Sequence, residues 1–271
     1  MKRSDVAPIS VALALAAAAA PAVVPASASA ALPEYRTCVK AAPRNTGRFN
    51  DRFCSEPNGG GTGKFELGAW NQGRKLTIKG KGGEATLRGY IPESELTPWT
   101  GGPSIGPVQC KTAKATGELS GPKTTTIVLE LRSCSTEGKK CTSLGAKTGV
   151  VVTRPLTATL GYVLGGVGAD VEASDHGAFA EFGCEGLNVA TRGSVIGTIV
   201  GNVNSVSREA TLTFATNATN GQLIVFGEFP EDPETGLVHY LRSTVTPPGV
   251  ALPSSDAVTA VLKGEALEIE A

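Results

Sequence analysis

A two-residue alternation between residues 124 and 162 constrains the fold more than any other stretch of the chain. Ile127, Leu129 and Leu131 fall on one face of an extended segment, and threonine residues occupy much of the other face. Residues 150–162 repeat the pattern, with an apolar side chain at every second position from Leu156. Such alternation is typical of half-buried β-strands, and β-branched threonine suits their solvated side. The sequence therefore predicts a central pair of strands in this region.

Short alternating segments of the same kind fill the rest of the chain after residue 30. The chain contains 34 Gly and 17 Pro, and aromatic residues make up only 5% of it, which indicates many short elements joined by turns. We predict an all-β protein, built as an antiparallel two-sheet sandwich or a partly closed barrel and stabilised by disulfides. The predicted strands are 64–69, 75–79, 84–90, 108–110, 116–119, 124–132, 150–162, 168–173, 178–184, 187–192, 210–215, 222–229, 237–242, 257–262 and 266–270.

Residues 1–30 have the features of a cleavable signal peptide. Lys2 and Arg3 give a basic start, residues 11–20 form an apolar run, and residues 28–30 supply small side chains for cleavage. The alternative is an uncleaved anchor, but this apolar run is shorter than the roughly 20 residues that span a bilayer. We therefore expect cleavage after Ala30 and a secreted, extracellular protein without a stable membrane span.

Glycine- and proline-rich breaks in the sequence predict the domain boundaries, and the charge balance limits the possible partners. A glycine-rich break at 58–63 and a proline-flanked loop at 97–103 predict an N-terminal β subdomain with its linker over 31–103. The main β-sandwich domain is then predicted over 104–271. The chain has 25 basic and 25 acidic residues, and a neutral chain without a basic tract argues against nucleic acid or anionic lipid as the main partner.

All the cysteines lie after residue 30, and an even number of them in an exported chain predicts a disulfide framework. Proximity in the sequence favours three bridges: Cys38–Cys54, Cys134–Cys141 and, by elimination, Cys110–Cys184. Many other pairings remain possible on the sequence alone. Zinc is the competing interpretation, but a zinc site requires Cys or His pairs roughly two to four residues apart, and the sequence has no such pair. We expect neither a metal nor a cofactor.

A set of short motifs is spread over most of residues 34–215. The motifs are Tyr35-Arg-Thr-Cys38, Cys54, Gly63-Lys-Phe-Glu66, Cys110-Lys111, Gly121-Pro-Lys123, Cys134, Cys141-Thr-Ser143, Pro155-Leu156, Leu160-Gly161, Glu181-Phe182 with Cys184, and Gly193-Ser-Val-Ile196. This set resembles a group of exported actinobacterial β-rich hypothetical proteins with paired cysteines. The resemblance implies export and the cysteine spacing, and it implies no catalytic residue.

Side chains suited to catalysis occur without a pattern that specifies an active site. Ser174, Asp175 and His176 are the residue types of a hydrolase triad, but consecutive side chains alternate along a strand and cannot form a relay. We predict a solvated turn there. Glycoside cleavage requires two carboxyl groups that face each other. The candidates are Glu93, Glu95, Glu130, Glu181, Glu231, Asp232 and Glu234, of which the first two and the last three are better interpreted as solvated surface.

Three aromatic side chains give the one indication of binding. Trp70, Tyr90 and Trp99 lie close together in the sequence, beside polar residues, at predicted strand ends or in loops. Flat rings beside polar groups suit sugar rings, and the alternative is that the Trp side chains are buried. The sequence favours a secreted, non-catalytic protein of the extracellular space or cell envelope that acts as a binding or structural module. The alternative is a secreted polysaccharide-acting hydrolase. The expected partner is a cell-wall or extracellular polysaccharide, or a protein.

Overall fold

Antiparallel β-strands make up the regular structure of the described part of the chain. The computed structural model describes residues 31–70, 76–89, 108–214, 216–217, 221–222, 227–230, 241–246, 250–255 and 259–271. No helix occurs in these residues, and every ladder between strands in them is antiparallel. The predicted all-β, antiparallel and disulfide-stabilised class is confirmed.

The described residues contain strands that are numbered in chain order. They are β1 (Glu34–Lys40), β2 (Phe65–Ala69), β3 (Thr77–Gly82), β4 (Ala85–Gly89), β5 (Val108–Cys110), β6 (Thr112–Leu119), β7 (Thr124–Arg132), β8 (Ser135–Thr136), β9 (Lys139–Thr142), β10 (Val150–Val152), β11 (Leu156–Val163), β12 (Gly166–Ala173), β13 (Ala178–Cys184), β14 (Leu187–Val200), β15 (Ser207–Thr213), β16 (Thr216–Asn217), β17 (Gly221–Gln222), β18 (Gly227–Glu228), β19 (Leu241–Thr246), β20 (Val250–Ser255) and β21 (Thr259–Glu270).

The ladders between strands form two circuits of pairings. In the first circuit β3 pairs with β6, and the pairings continue through β7, β11, β12, β14 and β15 to β21, which pairs with β3 again. The second circuit connects β4, β5, β8, β9, β13, β14, β19 and β20. Strand β14 belongs to both, its first half to the second circuit and its second half to the first.

The alternation in the sequence separates a buried face from a solvated one. In β7, Ile127, Leu129 and Leu131 are buried, and the residues between them are partly exposed. Leu156 and Leu160 of β11 are wholly buried on the matching face. These side chains belong to one apolar cluster that collects residues from β1 to β21. The central strand pair that the sequence predicts is therefore part of the main core.

Ladders also join the N-terminal segment to the rest of the chain. Strand β1 pairs with β21, β3 pairs with β6 and β21, and β4 pairs with β5 and β20. The predicted boundary between 31–103 and 104–271 is thus crossed by several ladders, and residues 31–271 form one compact unit.

Most differences between predicted and observed strands are differences of length. Strands β5, β7 and β13 have the predicted bounds, whereas β14 continues to Val200 beyond the predicted end at 192. The glycines of this extension are compatible with a strand. A Cβ at Gly197 would lie only 2.6 Å from Leu212 Cδ1, so the glycine lets the Leu212 side chain approach the backbone closely. Parts of the predicted strands 222–229 and 237–242 lie outside the described residues.

Three disulfides tie the strands and the N-terminal segment together. Cys38–Cys54 is confirmed, with the Cα atoms 5.6 Å apart. The predicted bridges Cys134–Cys141 and Cys110–Cys184 are wrong. The bridges observed in their place are Cys110–Cys134 and Cys141–Cys184.

The register of the ladders explains the corrected pairing. Gln109 lies opposite Ser135 in the ladder between β5 and β8, so the residues next to them, Cys110 and Cys134, also face each other. Their Cα atoms are 4.0 Å apart. Directly opposed residues in an antiparallel ladder are close enough to be bridged, whereas proximity in the sequence does not reveal which residues are opposed.

Candidate functional site

Trp70 is the one predicted binding residue that the structure describes, because Tyr90 and Trp99 lie outside the described residues. It directly follows β2, and its backbone N–H donates to the Tyr35 carbonyl at 3.3 Å. The side chain is partly buried and packs against the main apolar cluster. Its Nε1 is buried without a hydrogen-bond partner in the part of the chain that the structure describes. This packing supports the alternative interpretation, in which Trp70 covers the core.

Tyr35 and Thr125 form a buried hydroxyl pair between β1 and β7. Thr125 Oγ1 donates to Tyr35 Oη at 3.0 Å, and the Tyr35 N–H donates to the Pro122 carbonyl at 2.7 Å. Burial raises the pKa of Tyr35 to about 12, and the hydrogen bond from Thr125 offsets part of that rise. The phenol is therefore protonated at neutral pH, and the pair positions β1 against the core.

Ser174, Asp175 and His176 form an exposed turn between β12 and β13. Ser174 Oγ lies 2.9 Å from Thr157 Oγ1, and Asp175 accepts the backbone N–H two residues later at 2.9 Å. His176 has a φ of 53° and a side chain that is 76% exposed, and its Nδ1 lies 3.4 Å from Glu172 Oε2. Each of the three side chains has a different partner, so they form no relay. The predicted solvated turn is confirmed.

Two of the carboxylates considered for glycoside cleavage are held in partly exposed ion pairs. Glu130 Oε1 lies 2.7 Å from Arg132 Nε, and Glu181 Oε2 lies 2.8 Å from Arg154 Nη2. Each carboxylate is thus engaged by a guanidinium, whereas glycoside cleavage requires two carboxyl groups that face each other across the scissile bond. Glu93, Glu95 and residues 231–234 lie outside the described residues. Within the described ranges, no group of three His, Cys, Asp or Glu side chains is placed to hold a metal ion.

Arginine and phenylalanine side chains form a surface that the sequence did not reveal. The Cζ atoms of Arg52 and Arg208 lie 4.6 Å and 5.2 Å from the centre of the Phe53 ring. The Cζ atom of Arg48 lies 5.9 Å from the centre of the Phe49 ring. We call the Phe53 group, together with the Arg48–Phe49 pair four residues earlier in the same segment, the arginine–phenylalanine face. The adjacent pairs at 48–49 and 52–53 are visible in the sequence, but Arg208 comes from a distant strand.

Asp51 fixes the turn that carries Arg52 and Phe53. Its Oδ2 accepts from the Phe53 N–H at 3.0 Å and from the Ser55 hydroxyl at 2.9 Å. Its Oδ1 accepts from the N–H groups of Ser55 at 2.9 Å and Glu56 at 2.8 Å. Desolvation acts in the opposite direction, but these hydrogen bonds lower the pKa of Asp51 below its ordinary value. The carboxylate is therefore ionised at neutral pH, and the neighbouring bridge Cys38–Cys54 adds a covalent constraint.

A register irregularity lies at Arg208, beside the same ring. Ser207 lies opposite Leu267 and Glu209 opposite Lys263, so the additional residues of the irregularity belong to β21, across from Arg208. Ser207 Oγ holds the backbone on the β15 side, since it accepts the Glu209 N–H at 3.1 Å and donates to the Glu209 carbonyl at 2.7 Å. Two separate elements, the 51–56 turn and the start of β15, thus place their guanidinium groups at one aromatic ring.

Comparison with family models, curated proteins and solved structures finds no match for the chain. In the described ranges, no helix has the length and apolar character needed to cross a membrane. The functional assignment therefore rests on the chemistry of the residues themselves.

Proposed function

We propose that the chain is a secreted, non-catalytic module of the extracellular space or cell envelope, of the exported actinobacterial group that its motifs resemble, and that it binds a polysaccharide there. The disulfide framework carries the proposal. No cysteine is free, and Cys134, Cys141 and Cys184 are completely buried. Paired cysteines persist in oxidising compartments, which agrees with the signal-peptide features of residues 1–30.

The ion pairs of two carboxylates favour a binding function over the alternative, a secreted polysaccharide-acting hydrolase. Glu130 and Glu181 each lie in an ion pair with an arginine. A glycosidase needs one protonated and one ionised carboxyl group that flank the scissile bond. Both described candidates are instead engaged by the guanidinium group of an arginine.

Binding to polymers tests this proposal. Oxidised protein without residues 1–30 is incubated with insoluble peptidoglycan, cellulose and chitin, and both the retained protein and the released soluble sugar are measured. Retention without sugar release supports the proposal. Sugar release that Glu130→Gln or Glu181→Gln abolishes would establish the hydrolase instead. The absence of retention on every polymer would argue for a structural or protein-binding role.

Variants of the aromatic residues show whether the predicted cluster of rings contributes to polymer binding. Trp70→Ala and Trp99→Ala are compared with Leu164→Ala, since Leu164 is 92% exposed and serves as a control for losing an apolar surface side chain. Because Trp70 packs against the core, its variant must first show an unfolding midpoint close to that of the parent protein. A loss of retention in a folded variant then reports on binding.

A further inference from the structure

We propose that the arginine–phenylalanine face binds an acidic polysaccharide through the carboxylate or phosphate groups of the polymer. The inference rests on the proposed function, since it names the class of polymer that the secreted module binds and the surface that binds it. Three properties of the face support it: its local charge, the preset orientation of its guanidinium groups, and its rigid support.

The charge of residues 40–64 differs from that of the whole chain. The basic residues of this segment are Lys40, Arg44, Arg48, Arg52 and Lys64, and its acidic residues are Asp51 and Glu56. Asp51 already accepts hydrogen bonds from its own turn. All five basic residues are exposed, and exposed Arg208 of β15, which is followed by exposed Glu209, lies beside them at Phe53. A neutral protein thus carries a local positive surface, which attracts polyanions.

Contacts with the rings orient the guanidinium groups of the face. A guanidinium that lies against an aromatic ring loses rotamer freedom, and its N–H groups can still donate to the paired oxygens of a carboxylate or phosphate. Arg52 and Arg208 share the Phe53 ring. Within the described residues, neither of them nor Arg48 has a carboxylate at ion-pair distance, in contrast to Arg132 and Arg154. Their donors are therefore available to a ligand.

The backbone beneath the face is held in place before any ligand binds. The bridge Cys38–Cys54 and the four hydrogen bonds to Asp51 hold the 51–56 turn, and the Ser207 hydroxyl holds the backbone on either side of Arg208. A preformed site avoids much of the entropy cost of ordering on binding. Phe49 and Phe53 are partly exposed, so sugar rings can pack beside the charged contacts. An acidic polymer of sugars satisfies both requirements of the face.

Equilibrium binding to soluble polymers of known charge tests the inference. The probes are polygalacturonate for carboxylates, phosphomannan for phosphates, neutral dextran, and single-stranded DNA. We expect binding to one or both of the first two polymers, weakening as salt is raised, and no binding to dextran. The difference between the two acidic polymers identifies the anionic group. DNA that binds as tightly as both would overturn the assignment to a polysaccharide.

Charge variants locate the binding surface. We expect Arg52→Gln combined with Arg208→Gln to weaken binding by about tenfold, the loss of two charge-assisted contacts. The corresponding double change to Lys retains the charge but loses the planar donors, so it should bind with intermediate affinity. Lys139→Gln combined with Lys147→Gln removes the same charge from other exposed positions and should leave binding unchanged.

The outcomes separate this inference from the proposed function. Equal weakening in the two Gln double variants would overturn the inference, because net charge alone would then explain binding. Undiminished binding by the arginine double variant to an acidic or an insoluble polymer would also overturn it, but would leave the secreted binding module intact. Failure of the parent protein to bind any polymer would overturn both. Equal unfolding midpoints for all the variants confirm that the comparison reports on binding.

Discussion

Cys141 lies directly opposite Cys184 in the ladder between β9 and β13, and a disulfide joins them across a Cα separation of 4.2 Å. Cys134 is also a neighbour of Cys141, since its carbonyl accepts the Cys141 N–H at 3.0 Å. Cys134 is nevertheless bridged to Cys110. The two cysteines nearest in the sequence are therefore joined by a hydrogen bond, and each bridge connects their hairpin to a different strand.

Removing these bridges is expected to destabilise the fold. Cys141→Ala combined with Cys184→Ala should lower the free energy of unfolding by about 4 kcal/mol, because the bridge spans 43 residues of sequence. The corresponding double change at Cys110 and Cys134, with a separation of 24 residues, should cost slightly less. Urea denaturation of the oxidised proteins measures both. Peptide mapping without reduction checks the pairing, and a linked 134–141 peptide would contradict it.

A glycine in β6 with no room for a side chain gives a second stability prediction. A Cβ at Gly117 would lie 2.3 Å from the carbonyl oxygen of Thr126 and 2.7 Å from Ile127 Cγ2, whereas a Cβ at Gly83 would meet open space. The Thr126 carbonyl belongs to the β6–β7 ladder and cannot move freely. Gly117→Ala should therefore cost about 1–3 kcal/mol, and Gly83→Ala should leave the unfolding midpoint nearly unchanged. Similar midpoints for the two variants would show that the ladder can relax.

Strands that depend on a local residue pattern could be predicted from the sequence. Contacts between strands that are distant in the sequence could not. The alternation of Ile127, Leu129 and Leu131 was sufficient for β7, because burial on one face of a strand imposes a period of two. The pairing of Cys110 with Cys134 depends on the register of β5 against β8, which neither strand encodes by itself. Arg208 lies beside Phe53 at a register irregularity between β15 and β21, and no residue near Arg208 in the sequence signals that contact.

The buried phenol of Tyr35 predicts a loss of stability at high pH. Its pKa is raised from 10.0 to about 12 in the folded protein, chiefly by burial. The unfolded chain therefore ionises first, so this contribution to stability is complete below pH 10 and is lost as the pH rises from about 10 to about 12. The loss amounts to at most about 3 kcal/mol. Urea denaturation across this range measures it.

Tyr35→Phe supplies the control for that titration. The variant leaves the Thr125 hydroxyl without the partner it has at 3.0 Å, so it should be less stable than the parent at pH 8, by about 1 kcal/mol. Its stability should then fall less steeply between pH 10 and pH 12, since the phenol is absent. Equally steep curves for the two proteins would mean that another group causes the alkaline loss.

The hydrogen bonds to Asp51 predict a local effect at the opposite end of the pH scale. Because they lower the pKa of Asp51 in the folded protein, its stabilising contribution is present above the pKa of the unfolded chain and is lost as the pH falls through the folded pKa. Asp51→Ala removes the acceptors at any pH. Amide hydrogen exchange at Phe53, Ser55 and Glu56 should therefore be faster in this variant than in the parent at neutral pH.

The comparison with Asp175→Ala shows whether that effect is specific to the 51–56 turn. Asp175 accepts one backbone N–H, that of Gly177, so its variant should accelerate exchange at that amide and leave residues 53–56 unchanged. If Asp51 positions the arginine–phenylalanine face, Asp51→Ala should also weaken binding to the acidic polymer, although it removes a negative charge. An increase in affinity would mean that charge outweighs the geometry of the turn. The direction of that change therefore decides between a preformed face and simple electrostatic attraction.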